Sequence, residues 1–117
     1  MPRRPAVLGA VLAPIILLLV GCQGAIRGEW YLVEAKPNRQ TFSMDQATFR
    51  PDGTYSATMT IEGVTTAEKG SYDFDGFKLQ LRPQAGGQRT YQVQMQLDQM
   101  RVGDSKRNAL LQKGKRG

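Results

Sequence analysis

The chain has 117 residues, a formal net charge of +6, one cysteine and no histidine. That length supports one small core and no second domain, the lone thiol excludes an intrachain disulfide, and the missing imidazole excludes every His-based triad. Burial and strand pairing alone must hold such a domain together.

The N-terminus is the first element. Arg3 and Arg4 precede an apolar run over residues 6–20, whose length suits a signal-peptide h-region and falls short of the ~20 residues that a bilayer-spanning helix needs. The run ends in Leu19-Val20-Gly21-Cys22. This stretch resembles the lipobox of bacterial lipoproteins, Leu-x-[Gly/Ala]-Cys, through Leu19, Gly21 and Cys22. The resemblance implies diacylglycerol on the Cys22 sulfur, cleavage before that residue, and N-acylation in many bacteria. Such a cysteine is an anchor and is closed to catalysis, so no thiolate-based zinc site remains either. Acyl chains contribute ~0.8 kcal/mol per buried CH₂, and two or three of them hold a protein on a membrane surface without spanning it. In a two-membrane bacterium, Gln23 stands where inner-membrane retention typically shows Asp, which by family analogy favours the periplasmic face of the outer membrane.

The organisation expected is a signal-peptide helix within residues 1–21, a lipidated N-terminus and short linker over 22–27, a folded domain over 28–113 and a basic tail over 114–117. Cleavage removes two arginines and lowers the net charge from +6 to +4. Much of the remaining excess sits in Lys106, Arg107, Lys113, Lys115 and Arg116. An exported, anchored protein does not normally meet nucleic acid, so the tail reads as solvated or as a contact for anionic head groups.

From residue 28 onward, turn signals recur every eight to twelve residues and the segments between them alternate apolar with polar, which is an all-β pattern. Residues 28–35 place Trp30 and Leu32 on one face, with Glu29 and Tyr31 on the other. Residues 42–50 carry Ala47 and Phe49 on one side. Pro51-Asp52-Gly53 supplies a preset φ followed by a residue tolerant of positive φ, a tight hairpin turn. In residues 54–61, Tyr55, Ala57, Met59 and Ile61 face one way. After a Gly63-containing loop, residues 69–74 bring Gly70, Tyr72 and Phe74 into phase. Asp75-Gly76 is a type I′ signal leading into Phe77, Leu79 and Leu81. Residues 90–97 align Tyr91, Val93, Met95 and Leu97, and shorter strands cover 99–103 and 109–113.

About eight short antiparallel strands in a meander result, with no sustained helical period. A flat sheet of eight strands leaves one apolar face wet and two edges free, whereas a small up-and-down barrel buries the first and removes the second. Residues 104–108 are long and charged, and the strand before them is short, so the barrel is also compatible with incomplete closure.

Gly28-Glu29-Trp30 is similar to the Gly-x-Trp signature of lipocalins. The segments Thr48-Phe49-Arg50-Pro51-Asp52-Gly53-Thr54-Tyr55, Gly70-Ser71-Tyr72-Asp73-Phe74-Asp75-Gly76 and Leu79-Gln80-Leu81 resemble the small lipocalin-like domains of bacterial lipoproteins. The resemblance spans roughly residues 28–113. It implies that Trp30 closes the barrel base beneath a basic side chain of the last strand, with Lys113 the nearest by position. The chain is shorter than the larger lipocalins and lacks their disulfides and C-terminal helix.

Chemistry-bearing patterns are sparse. Asp73 and Asp75 lie two apart but flank a turn, and Ser43, Ser56, Ser71 and Ser105 have no neighbouring base or Gly-x-Ser-x-Gly elbow. Met44, Met59, Met95 and Met100 fall mainly on apolar strand faces and read as core filling rather than a Cu(I) site. Gly86-Gly87 is a flexible turn with no helix behind it. No catalytic residue, metal or cofactor is therefore expected, and the chain reads as no enzyme.

Two functional classes remain. In one, a barrel interior lined by Tyr55, Met59, Tyr72, Phe74, Leu79, Leu81, Tyr91 and Val93 takes a small apolar ligand such as an acyl chain, with Trp30, Tyr55, Met59, Tyr72, Phe74 and Tyr91 as contacts. In the other, the barrel is solid and serves a structural role or binds an envelope protein, as a periplasmic inhibitor of a secreted hydrolase does. Interior volume separates them: large inward side chains fill a lumen, and small ones such as Ala57 and Gly70 leave space.

Overall fold

The computed structural model describes residues 24–114, so the expected signal segment, Cys22 and the last three residues lie outside the described part. Its strands are β1 (Gly28–Lys36), β2 (Phe42–Phe49), β3 (Thr54–Ile61), β4 (Val64–Phe74), β5 (Lys78–Pro83), β6 (Arg89–Gln96), β7 (Gln99–Gly103) and β8 (Asn108–Lys113). Each pairs antiparallel with the next, and β1 pairs with β8 from Trp30↔Lys113 to Lys36↔Asn108. The result is the expected up-and-down barrel, closed: the 104–107 loop, whose sequence is also compatible with incomplete closure, turns back tightly, with the Asp104 N–H bonded to the Arg107 carbonyl at 2.8 Å.

Strand phases follow the period-two reading. Trp30, Ala47, Phe49, Tyr55, Ala57, Met59, Tyr72, Phe74, Leu79, Leu81 and Val93 are all buried, because alternate residues of a pleated strand point to the same side. The 50–53 turn forms as expected, with the Arg50 N–H on the Thr54 carbonyl at 2.9 Å and Gly53 at φ 88°.

Three expectations change at turns. The Gly63 loop is a two-residue turn, Glu62-Gly63, at φ 50° and 82°, the left-handed pair of a type I′ hairpin. β4 therefore begins at Val64, not Lys69. Asp75-Gly76 is not a type I′ turn: Phe74 pairs with Leu79, and Asp75 Oδ1 accepts the N–H groups of Phe77 at 2.9 Å and Lys78 at 2.8 Å. That side-chain turn takes Asp75 and Phe77 out of the strand phase, leaving Phe77 76% exposed. Leu97 also leaves its phase, because Gln96 pairs with Gln99 and makes Leu97 a turn residue at φ 55°, 94% exposed.

Gly70 leaves no space in the lumen. A Cβ there would lie 2.1 Å from the Arg82 carbonyl oxygen, so the glycine permits β5 to cross close to β4.

One end, the base, holds the start of β1, the 50–53, 75–77 and 97–98 turns and the end of β8. It is sealed. Ile26 and Trp30 are fully buried, the Trp30 indole N–H donates to the Ile26 carbonyl at 2.8 Å, and Lys113 Nζ stands 5.6 Å from the Trp30 ring centroid. Lys113 thus takes the position expected for a basic residue against this tryptophan.

The lumen is filled. Phe49 packs on Tyr72 with centroids 5.0 Å apart, and Phe42 of β2 meets Tyr91 of β6 at 5.6 Å. Strands β2 and β6 stand opposite each other around an eight-stranded barrel, so this second contact crosses the interior. Of the buried polar groups, Thr60 and Ser43 both bond Asp45, at 2.9 and 2.7 Å, where a bulge shifts β2 register between Met44 and Gln46. Burial opposes the Asp45 charge, but bonds from Ser43, Arg39 and Thr60 hold its carboxyl below the usual range.

Candidate functional site

The other end, the mouth, is built unevenly. The last β4–β5 pair is Gly70↔Pro83, so residues 64–68 run on with β3 as their sheet neighbour. The 84–88 loop faces this projecting hairpin and is tied to it by the Gln84 N–H on the Lys69 carbonyl at 2.8 Å. Between them lies a cleft of about 480 Å³, whose lining includes Met59, Ile61, Val64, Glu68, Ala85 and Arg89.

Strand phase explains two charges in that lining. Because β4 starts at Val64, its inward face reads Val64, Thr66, Glu68, Gly70, Tyr72, Phe74; the inward face of β6 reads Arg89, Tyr91, Val93. Glu68 and Arg89 are thus placed toward the interior. They form an ion pair through Glu68 Oε2 and Arg89 Nη2, with side chains 12% and 34% exposed. The Tyr55 hydroxyl donates to the same Glu68 oxygen at 2.8 Å. Arg89 Nε is buried without a hydrogen-bond partner among the described residues.

The electrostatics keep Tyr55, Tyr91 and Arg89 protonated near neutrality. Burial, then the hydrogen bond and charge of Glu68, push the Tyr55 phenol far above its usual value. Burial also raises Tyr91, against the pull of the adjacent Arg89. For Arg89, burial opposes the cation, but the Glu68 hydrogen bond and charge outweigh it and the net shift is upward. Groups shifted in these directions hold charge and hydrogen bonds rather than exchange protons at neutral pH. The cleft therefore combines an apolar wall with a half-buried ion pair, an arrangement suited to an amphipathic guest.

The six expected ligand contacts divide between the two ends. Met59 lines the cleft, Tyr55 reaches it through Glu68, and Tyr91 sits against Phe42 beside Arg89. Trp30, Tyr72 and Phe74 pack instead in the base half: Trp30 under Lys113, Tyr72 with its hydroxyl on the Arg50 carbonyl at 2.8 Å, and Phe74 2% exposed. Cys22 lies outside the described residues. Asp73 binds Arg82 at 2.5 Å and Asp75 bonds its own turn. Met44, Met59 and Met100 are at most 2% exposed, and Met95 packs against the core.

Sequence reasoning did not reach Glu68 or Arg89. Each stands in phase with an inward aromatic, Glu68 with Tyr72 and Arg89 with Tyr91, and that phase is the signal that could have found them. Among the described residues no group of three or more His, Cys, Asp or Glu converges, and no helix is long and apolar enough to cross a membrane.

No protein-family model matches the chain, and no curated protein matches it. Among solved structures it is similar to an uncharacterized protein from Bacteroides eggerthii, with 15% sequence identity, a TM-score of 0.53, and coverage of 75% of this chain and 98% of that chain. At that identity the likeness concerns the fold.

Proposed function

We propose that this chain is a non-enzymatic envelope lipoprotein, anchored through acyl chains on Cys22, whose lipocalin-like barrel holds a small amphipathic ligand in the cleft at its mouth. The lipobox-like Leu19, Gly21 and Cys22 support the anchor. Gly28-Glu29-Trp30 at the start of β1, with Lys113 over the indole, supports the lipocalin-like reading. The cleft itself carries the ligand reading: about 480 Å³ lined by Met59, Ile61, Val64 and Ala85, with the Glu68–Arg89 pair among them. A filled lumen argues for a guest at the mouth rather than deep in a calyx, since close-packed interiors have no room for an acyl chain.

A second reading, a protein-binding barrel, is favoured by the edge of β4. Residues 64–68 have β3 alone as sheet neighbour, and an unpaired strand edge is a template for an extended segment of another chain.

The test is native mass spectrometry of residues 23–117 produced without the anchor, before and after fatty acids or monoacylglycerols are offered. A stoichiometric adduct is expected. A clean apo mass throughout would remove the ligand reading and leave the β4 edge as the working surface.

A further inference from the structure

We infer that the base of the barrel lies against the membrane that carries the anchor, with the side chains of Phe77 and Leu97 inserted among the lipid head groups and the mouth directed away. The inference rests on the anchor reading and adds a docking surface and an orientation to it.

The first observation is the length of the tether. Gly24 belongs to the segment that seals the base: its carbonyl accepts the Arg27 N–H at 3.2 Å, Ile26 is fully buried, and the Ile26 carbonyl holds the Trp30 indole. Cys22 lies two residues before Gly24, a reach of at most about 7 Å for extended chain. An acylated Cys22 therefore brings the base, and not the mouth, within contact distance of the bilayer.

The second observation is independent of the first. Four large apolar side chains are exposed among the described residues: Val33, Val64, Phe77 and Leu97. The two most exposed, Leu97 at 94% and Phe77 at 76%, stand at the tips of base turns, and neither is there for the fold. Leu97 occupies φ 55°, a conformation that glycine or asparagine adopts with less strain. Phe77 is held in place by its backbone, whose carbonyl accepts the Val93 N–H at 2.7 Å, while its ring faces outward. Bulky apolar tips on ordered turns are costly in water and favourable at the head-group and acyl boundary.

Charged side chains flank both tips. Lys78 follows Phe77 and Asp98 follows Leu97, while the Lys113 ammonium is held over the Trp30 ring. Lys115 and Arg116 come next in the sequence. Long cationic stems at such a boundary reach outward to lipid phosphates while their methylenes cover apolar surface. In this orientation the Glu68–Arg89 cleft opens toward the aqueous compartment, so its guest arrives from solution or from a partner rather than from the leaflet beneath.

The experiment uses the mature acylated chain in vesicles of phosphatidylethanolamine and phosphatidylglycerol. A nitroxide label is introduced singly through Phe77→Cys, Leu97→Cys or Val64→Cys, with Cys22 blocked by its own acylation. Labels at 77 and 97 should lose accessibility to an aqueous nickel complex and gain it to oxygen, while the label at 64 stays water-accessible. Wet labels at 77 and 97 on an acylated chain overturn the docking surface alone, and a label at 64 in lipid overturns the orientation. The intact mass of the same samples reports acylation, and its absence overturns both the anchor and this inference.

Discussion

Glu68 is held by two partners of different kinds, and each determines what a substitution does. Glu68→Gln keeps the shape but removes the counter-charge of a half-buried Arg89 and weakens the acceptor of the Tyr55 hydroxyl; a loss of about 1–3 kcal/mol is expected, the cost of leaving a buried polar group unsatisfied. Arg89→Met should cost a similar amount by stranding the carboxylate, whereas Glu68→Gln combined with Arg89→Met should cost less than the two single losses together, because no lone charge remains. Urea midpoints of the three variants check this. Strict additivity would show that the pair is not coupled. The tyrosines set the alkaline limit. Tyr55, Tyr72 and Tyr91 are each raised, burial being the largest cause. The folded state thus holds their protons more tightly than the unfolded chain does, so their contribution is complete below the unfolded value of about 10 and is lost as pH rises through the folded values. Asp45, Asp52, Asp75 and Asp104 are lowered, and their contribution is present above about pH 4 and lost as pH falls. A midpoint-versus-pH curve should show a plateau with two falling flanks, and Tyr55→Phe should make the alkaline flank shallower.

Strand order and phase were legible in the sequence, because a half-buried strand carries its own record of which residues face inward. β3 and β7 match their expected bounds, and the inward faces of β2 and β5 are as read apart from Phe77. What was not legible depends on geometry between strands. The Asp75-Gly76 pair looks like a two-residue turn until the Asp75 carboxylate is seen to take two backbone N–H groups, which adds residues to the loop and turns Phe77 outward. Leu97 continues an apolar alternation and gives no local sign that the chain reverses at that residue. Glu68 and Arg89 were missed because a charge in an alternating strand counts as solvent-facing, and their pairing across 21 residues becomes visible only with the register. Gly70 looked like a gap and is instead a crossing point. Gly70→Ala should force β4 and β5 apart against the Arg82 carbonyl, at about 1–3 kcal/mol by analogy with overpacked cores. Amide exchange checks its location: faster exchange confined to the β4–β5 pairs is expected, and uniform loss across the barrel would contradict it.

For the whole molecule, the two ends divide the work. The base is closed by Ile26, Trp30 and Lys113, and the interior is packed through to the Phe42–Tyr91 contact. Room for a guest exists at the mouth, where β4 outruns β5 and leaves one side of the wall open. On the proposed function the barrel is a support for a cleft rather than a container. Amide NMR of residues 23–117, titrated with a long-chain monoacylglycerol below its aggregation concentration, tests that claim most directly. Saturable shifts confined to Met59, Ile61, Thr66, Glu68, Ala85 and Arg89 are the expected result; shifts centred on Trp30, Tyr72 and Phe74, or no shifts at all, would contradict it.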